Sequence, residues 1–103
     1  MTRYRATVAT GHPDAFGYTF SEQAMDSLAD QALGKDVYLM FTQSVGEVVG
    51  AGRGEDGVTV LFESDKALGD LYVVPAFQGE RLQFFGLVPV PADRHLAPVE
   101  VVE

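Results

Sequence analysis

Ser21-Glu22-Gln23-Ala24-Met25-Asp26-Ser27-Leu28-Ala29-Asp30-Gln31-Ala32-Leu33-Gly34 is the stretch that decides how the rest of the chain is read. Met25, Leu28, Ala29, Ala32 and Leu33 recur at i, i+3, i+4, i+7 and i+8, which places one apolar stripe on a helix. Ser21 has the side chain of an N-cap, and Glu22 puts a negative charge at the positive end of the helix dipole. Phe20 and Met25 have the spacing of a hydrophobic staple. Gly34 closes the element as a left-handed C′ residue, with Lys35 just beyond it. The spacing predicts a helix over Glu22–Leu33, with its apolar stripe in the core.

On either side of this helix the periodicity changes from 3.6 to 2. Before it, Tyr4, Ala6 and Val8 alternate with Arg3, Arg5 and Thr7, a half-buried strand, and Gly11-His12-Pro13-Asp14 supplies a turn. After it, Val37, Leu39 and Phe41 alternate with Tyr38, Met40 and Thr42, apolar on both faces like a strand covered on both sides. Val45 to Arg53 is a Gly-rich strand, and Gly54-Glu55-Asp56-Gly57 carries the Asp-Gly pair of a hairpin turn. Val58, Val60 and Phe62 form the returning strand. Leu71 to Phe77 is a strand that Pro75 places at an edge or shortens, and Arg81 to Val88 follows the turn Gln78-Gly79-Glu80. Pro89, Pro91 and Pro98 bracket a loop before a short apolar strand at Val99, Val101 and Val102. The expectation is one α+β domain over residues 1–103, mostly antiparallel β, with six to seven strands in a barrel-like or sandwich sheet and one helix near the N-terminus.

Composition limits the functions open to such a domain. Its 103 residues suffice for a single core. Seven Lys and Arg stand against 15 Asp and Glu, a formal charge of -8, which argues against a general nucleic-acid binder because phosphate contacts need cations. Residues 1–53 hold 4 basic and 6 acidic side chains, and residues 54–103 hold 3 and 9. An acidic half of this kind meets a basic partner or serves solubility. With no cysteine there is no disulfide or thiolate chemistry. The first residues are too polar for a signal sequence, and no apolar run approaches the roughly 20 residues of a membrane span. These features fit a cytosolic chain or a particle assembled in cytosol, neither secreted nor membrane-bound.

No catalytic motif fixes a geometry. Ser44 lacks a Gly-x-Ser-x-Gly elbow, so a hydrolase built on Ser44 with His12 or His95 would depend on the fold bringing them together. His12 with Asp14, and Asp93 with His95, lack the ligand spacing of a structural zinc site. Gly50, Gly52, Gly54 and Gly57 precede a hairpin instead of a helix, and so form no phosphate cradle. No cofactor, metal or catalytic residue is expected. Phe85 and Leu87 share a strand face opposite Phe84, which marks one face as an oligomer contact. The expected interface comprises Phe85, Leu87, Tyr72, Glu55 and Asp56, and Phe85→Asp is then expected to weaken assembly while the fold stays intact.

The order of elements is similar to the head-maturation (prohead) protease family of tailed bacteriophages and its small non-catalytic relatives. The matching pieces are the Phe-Ser-Glu-Gln-Ala helix start, Gly-Lys-Asp-Val-Tyr-Leu-Met-Phe, Ser44-Val45-Gly46-Glu47-Val48-Val49, and Phe85-Gly86-Leu87-Val88-Pro89-Val90-Pro91-Ala92-Asp93. They span the chain from about Tyr4 to Pro98. The family's catalytic His falls at Phe41 or Thr42, and its nucleophilic Ser at Phe85 or Gly86. Neither Phe nor Gly attacks a carbonyl or accepts a proton. The resemblance therefore implies the scaffold without the active site: a non-enzymatic phage or prophage structural or head-accessory protein. Its partner would be another structural protein or a second copy in a homo-oligomer. The alternative expectation is a small acidic inhibitor or anti-defence protein that blocks a basic nucleic-acid-binding enzyme.

Overall fold

The computed structural model describes residues 1–12, 19–54, 57–91 and 96–102. Strands β1 (Thr2–Thr10), β2 (Asp36–Leu39), β3 (Gln43–Gly54), β4 (Gly57–Ser64), β5 (Tyr72–Gln78), β6 (Arg81–Val88) and β7 (Glu100–Val101) accompany helix α1 (Glu22–Ala32). All seven strands belong to one sheet in the order β5-β6-β2-β3-β4-β1-β7, curled into a half-barrel. Every neighbouring pair is antiparallel except β2 and β6, which run parallel with Val37 opposite Phe85 and Leu39 opposite Leu87. That parallel pair splits the sheet into two antiparallel groups, β5–β6 and β2-β3-β4-β1-β7.

Helix α1 begins as its sequence dictates. The Ser21 hydroxyl accepts the Ala24 N–H at 3.0 Å, satisfying a donor the first turn leaves free. Leu33 leaves the helix with extended backbone, and Gly34 follows at φ +84°. Leu28 and Ala32 are fully buried and Met25 nearly so, and these residues face the concave side of the sheet, whereas Leu33, expected in the same stripe, lies past the helix end and is 65% exposed. Phe20 sits beside Phe77, ring centroids 6.3 Å apart. Polar ties fix the helix further. Gln31 accepts the Leu82 N–H at 2.9 Å and donates to the Glu80 carbonyl at 3.2 Å. Asp26 takes Arg53 Nε at 3.1 Å.

The core fills the inside of the curl with Tyr4, Val37, Val48, Val60, Phe62, Val73, Leu82, Phe85 and Leu87. Tyr4 stacks on Phe62 at 5.4 Å. Its hydroxyl donates to the Lys66 carbonyl and accepts the Leu68 N–H, both at 2.9 Å, and so pins the connection between β4 and β5. The Val99 N–H reaches the Leu71 carbonyl at 2.8 Å, which draws the two ends of the sheet together. Pro75 lies on β5, the outer strand of the sheet, as its missing N–H requires. Among the described residues, no helix is long and apolar enough to cross a membrane.

Two details depart from the sequence pattern. The strand expected to run through Phe41 and Thr42 stops at Leu39, and Met40 and Phe41 turn the chain at φ +51° and +63°. The strands also bulge at Val37/Tyr38, Val48/Gly50, Thr7/Ala9 and Ala76/Phe77. The last of these breaks the alternation in the β5–β6 hairpin, where Leu82 is buried together with Phe85 and Leu87.

Candidate functional site

The outer face of β5, β6 and β2 is apolar and aromatic. Tyr72 lies opposite Val88, Val74 opposite Gly86, and Ala76 opposite Phe84. Tyr38 lies opposite Gly86 from the other side. Directly opposed residues point to the same side of a sheet, so Tyr72, Val74, Ala76, Phe84, Val88 and Tyr38 share one surface, each half-buried. Tyr38 and Phe84 are in ring contact at 4.8 Å, and Phe41 meets Phe84 edge-on at 5.8 Å. Gly86 leaves a recess between them that the Phe41 ring fills: a Cβ there would stand 2.5 Å from Phe41 Cζ.

The β2–β3 turn sets Phe41 against this surface and holds the exposed Met40 next to it in the chain. The Thr42 N–H donates to the Leu39 carbonyl at 3.1 Å across Met40 and Phe41. Positive φ at both central residues is the pattern of a type I′ turn, which favours Asn-Gly. Met and Phe there cost on the order of 1–2 kcal/mol each in backbone strain. Met40 is 50% exposed and Phe41 45%, so about half of each side chain remains in solvent while the other half packs against the sheet.

Farther along the sheet the outer face carries a line of charged residues, with the 40% exposed Val49 beside them. Asp36 lies opposite Glu47, Glu47 opposite Glu63, and Glu63 opposite Arg3. Three carboxylates thus stand in a row over adjacent strands, an arrangement that repels, and the Arg3–Glu63 ion pair of 3.0 Å relieves one end of it. The row lines a shallow depression of about 510 Å³ together with Ser44, Asp65 and Lys66. Asp36 and Tyr38 sit two apart on β2, so the acidic row and the aromatic surface adjoin.

The expected interface residues divide. Tyr72 lies on the aromatic surface. Phe85 and Leu87 are 0% exposed, pressed into the core from the inner face of β6, so it is the opposite face of that strand that meets solvent. Phe85→Asp would therefore put an unpaired charge in the core and unfold the domain instead of leaving it intact. Glu55 and Asp56 lie outside the described residues.

Polar groups with catalytic potential are dispersed or already engaged. Ser21 caps the helix, Ser27 accepts from Gln31 at 3.0 Å, and buried Ser64 accepts the Lys66 N–H at 3.0 Å. Ser44 sits at the end of the sheet near Thr2 and Ser64, whereas His12 follows Thr10, which pairs with Gly57 at the other end. The length of β1, about 25 Å at 3.3 Å per residue, separates them. His95, Asp14 and Asp93 lie outside the described residues. Among the described residues, no group of three His, Asp or Glu side chains is placed to hold a metal ion.

A second groove, of about 400 Å³, lies between the start of α1 and the β5–β6 turn, lined by Phe20, Ser21, Gln23, Ala24, Phe77 and Glu80. The alternation of Val37 to Thr42 concealed the Met40–Phe41 turn. The pairing of three acidic residues, 36, 47 and 63, became visible only once the register was known. No protein-family model, curated protein or solved structure matches the chain.

Proposed function

We propose that this chain is a non-enzymatic assembly protein of a phage or prophage particle, a head-accessory component that works through protein–protein contact. The observation that carries the reading is the half-buried aromatic surface of Tyr38, Phe84 and Tyr72, extended by the exposed Met40–Phe41 turn. Apolar surface held out to solvent at the expense of backbone strain favours a contact role over a purely structural one. The resemblance to prohead proteases gains support from a single contact. Phe41, at one position the family gives to its catalytic His, lies against Gly86, at one position it gives to its Ser. That packing is consistent with a protease-like scaffold whose catalytic cleft has been filled.

The test is capture of partners from the source lysate on the tagged chain, with washes at low and then high salt. Coat or portal protein retained through the high-salt wash by the wild type, and lost by Phe41→Ser, supports the reading. Retention of no particle protein overturns it.

A second reading draws on the row of Asp36, Glu47 and Glu63: an acidic inhibitor of a basic nucleic-acid-binding enzyme. Contacts made by charge alone weaken steeply with ionic strength. A nuclease or polymerase that is captured and then released by salt would favour this reading over assembly.

A further inference from the structure

We infer that the aromatic surface of β2 and β6 takes a protein segment that presents apolar anchors and Lys or Arg on one and the same face, the anchors seated at Met40–Phe41 and Phe84 and the cations on Asp36, Glu47 and Glu63. The inference rests on the contact role proposed above and names its partner chemistry.

Three observations converge on that occupant. The turn keeps two large apolar residues in left-handed backbone at the rim of the surface, a local conflict that proteins retain where a site requires it. Beside it, three carboxylates stand in adjacent-strand register around a depression open to solvent. Arg3 pairs with the Glu63 end of that row and Lys66 lines the same depression, while among the described residues Asp36 and Glu47 form no ion pair. The aromatic surface and the acidic row join at β2, where Asp36 and Tyr38 point to the same side. A partner that covers the aromatic residues must therefore also face Asp36 and Glu47.

Charge selects among possible occupants. A second copy would bring its own acidic row and a net charge of -8 to the same place, and like charges brought together at an interface cost several kcal/mol. A segment bearing cations converts the same row from a destabilising feature into a guide for encounter and register. The shape also fits: a strand-like segment turns every second side chain to one side, about 6.6 Å apart, so anchors and cations at positions i, i+2 and i+4 face the sheet together.

The probe is a synthetic nonapeptide with Phe, Leu and Lys at its odd positions and Ser at its even positions, titrated into the ¹⁵N-labelled full chain at 50 mM and 300 mM salt. A matched peptide with Glu for every Lys is the control. The expected result is saturable shifts at Tyr38, Phe41, Phe84 and Glu47, weakening at the higher salt. Glu47→Lys should lower the affinity about fivefold or more, and Met40→Asn should lower it at both salt concentrations. Equal binding of the Glu peptide, shifts centred away from this face, or unchanged affinity in Glu47→Lys would overturn the inference. So would self-association through this face in sedimentation velocity, since a second copy would then be the occupant. Failure of the peptide alongside salt-resistant, Phe41-dependent capture of a particle protein would remove the basic partner chemistry and leave the assembly reading standing.

Discussion

Phe41 and Gly86 are packed so tightly that the ring occupies the space of a side chain on β6: a Cβ at Gly86 would stand 2.5 Å from Phe41 Cζ and 2.9 Å from Cδ1. The contact joins the β2–β3 turn to the only parallel strand pair among the described residues. It covers backbone on β6 that Gly86 leaves without a side chain of its own.

Gly86→Ala should therefore lower stability by about 1–3 kcal/mol, the usual cost of overpacking. In Phe41→Ala the obstruction is gone, so the two changes together should cost less than the sum of each alone. Urea unfolding of the four proteins measures this coupling. Strict additivity would show that the ring moves aside freely.

Met40→Asn should stabilise the domain by about 0.5–1 kcal/mol, because Asn accepts left-handed backbone far better than Met. Half of the Met40 surface is exposed, so little packing is lost. A rise in melting temperature, with a matching rise in urea midpoint, is the expected result. A fall would mean that Met40 contributes packing beyond what its exposure implies.

Glu47→Lys should also stabilise, by about 0.2–1 kcal/mol, since it replaces two like-charge pairs with opposite-charge pairs. The gain should shrink as salt rises. Thermal melts at 20 mM and 500 mM salt provide the comparison. Together with Met40→Asn, this variant would link higher stability to weaker partner binding, as expected when strain and repulsion belong to a contact surface.

Tyr4→Phe removes the hydroxyl that accepts the Leu68 N–H and donates to the Lys66 carbonyl. Both groups would lose a partner next to the core, a cost of about 1–3 kcal/mol. Amide exchange at Leu68 should accelerate more than exchange at Val60 in the middle of β4. Uniform acceleration would mean that the whole domain opens instead of the 65–71 connection.

Local periodicity made much of the fold legible. The helix stands where Met25, Leu28 and Ala32 place it, capped by Ser21 and followed by left-handed Gly34. The strand at Arg81–Val88 was equally clear, and Pro75 narrowed its own strand to an edge or a shortened one, of which the fold takes the edge. Features that depend on contacts distant in sequence were not. Which face of β6 lies inside follows from parallel pairing with β2 and a bulge in β5–β6, and neither leaves a local signature. Hence Phe85 and Leu87 read as surface when they are core, while Phe84, on the other side, belongs to the exposed aromatic face. Met40 and Phe41 were hidden for a different reason: large apolar residues in alternation signal a strand, and turn propensity argues against them at a type I′ turn. The acidic row needed two registers at once, those of β2–β3 and β3–β4, each interrupted by a bulge.

The most direct test of the central claim is hydrogen exchange on the chain, free and in complex with the particle protein it captures. The account predicts slower exchange in residues 36–41 and 81–88, with the outward side of α1 unchanged. Protection confined to α1, or to the β1–β7 edge, would contradict it.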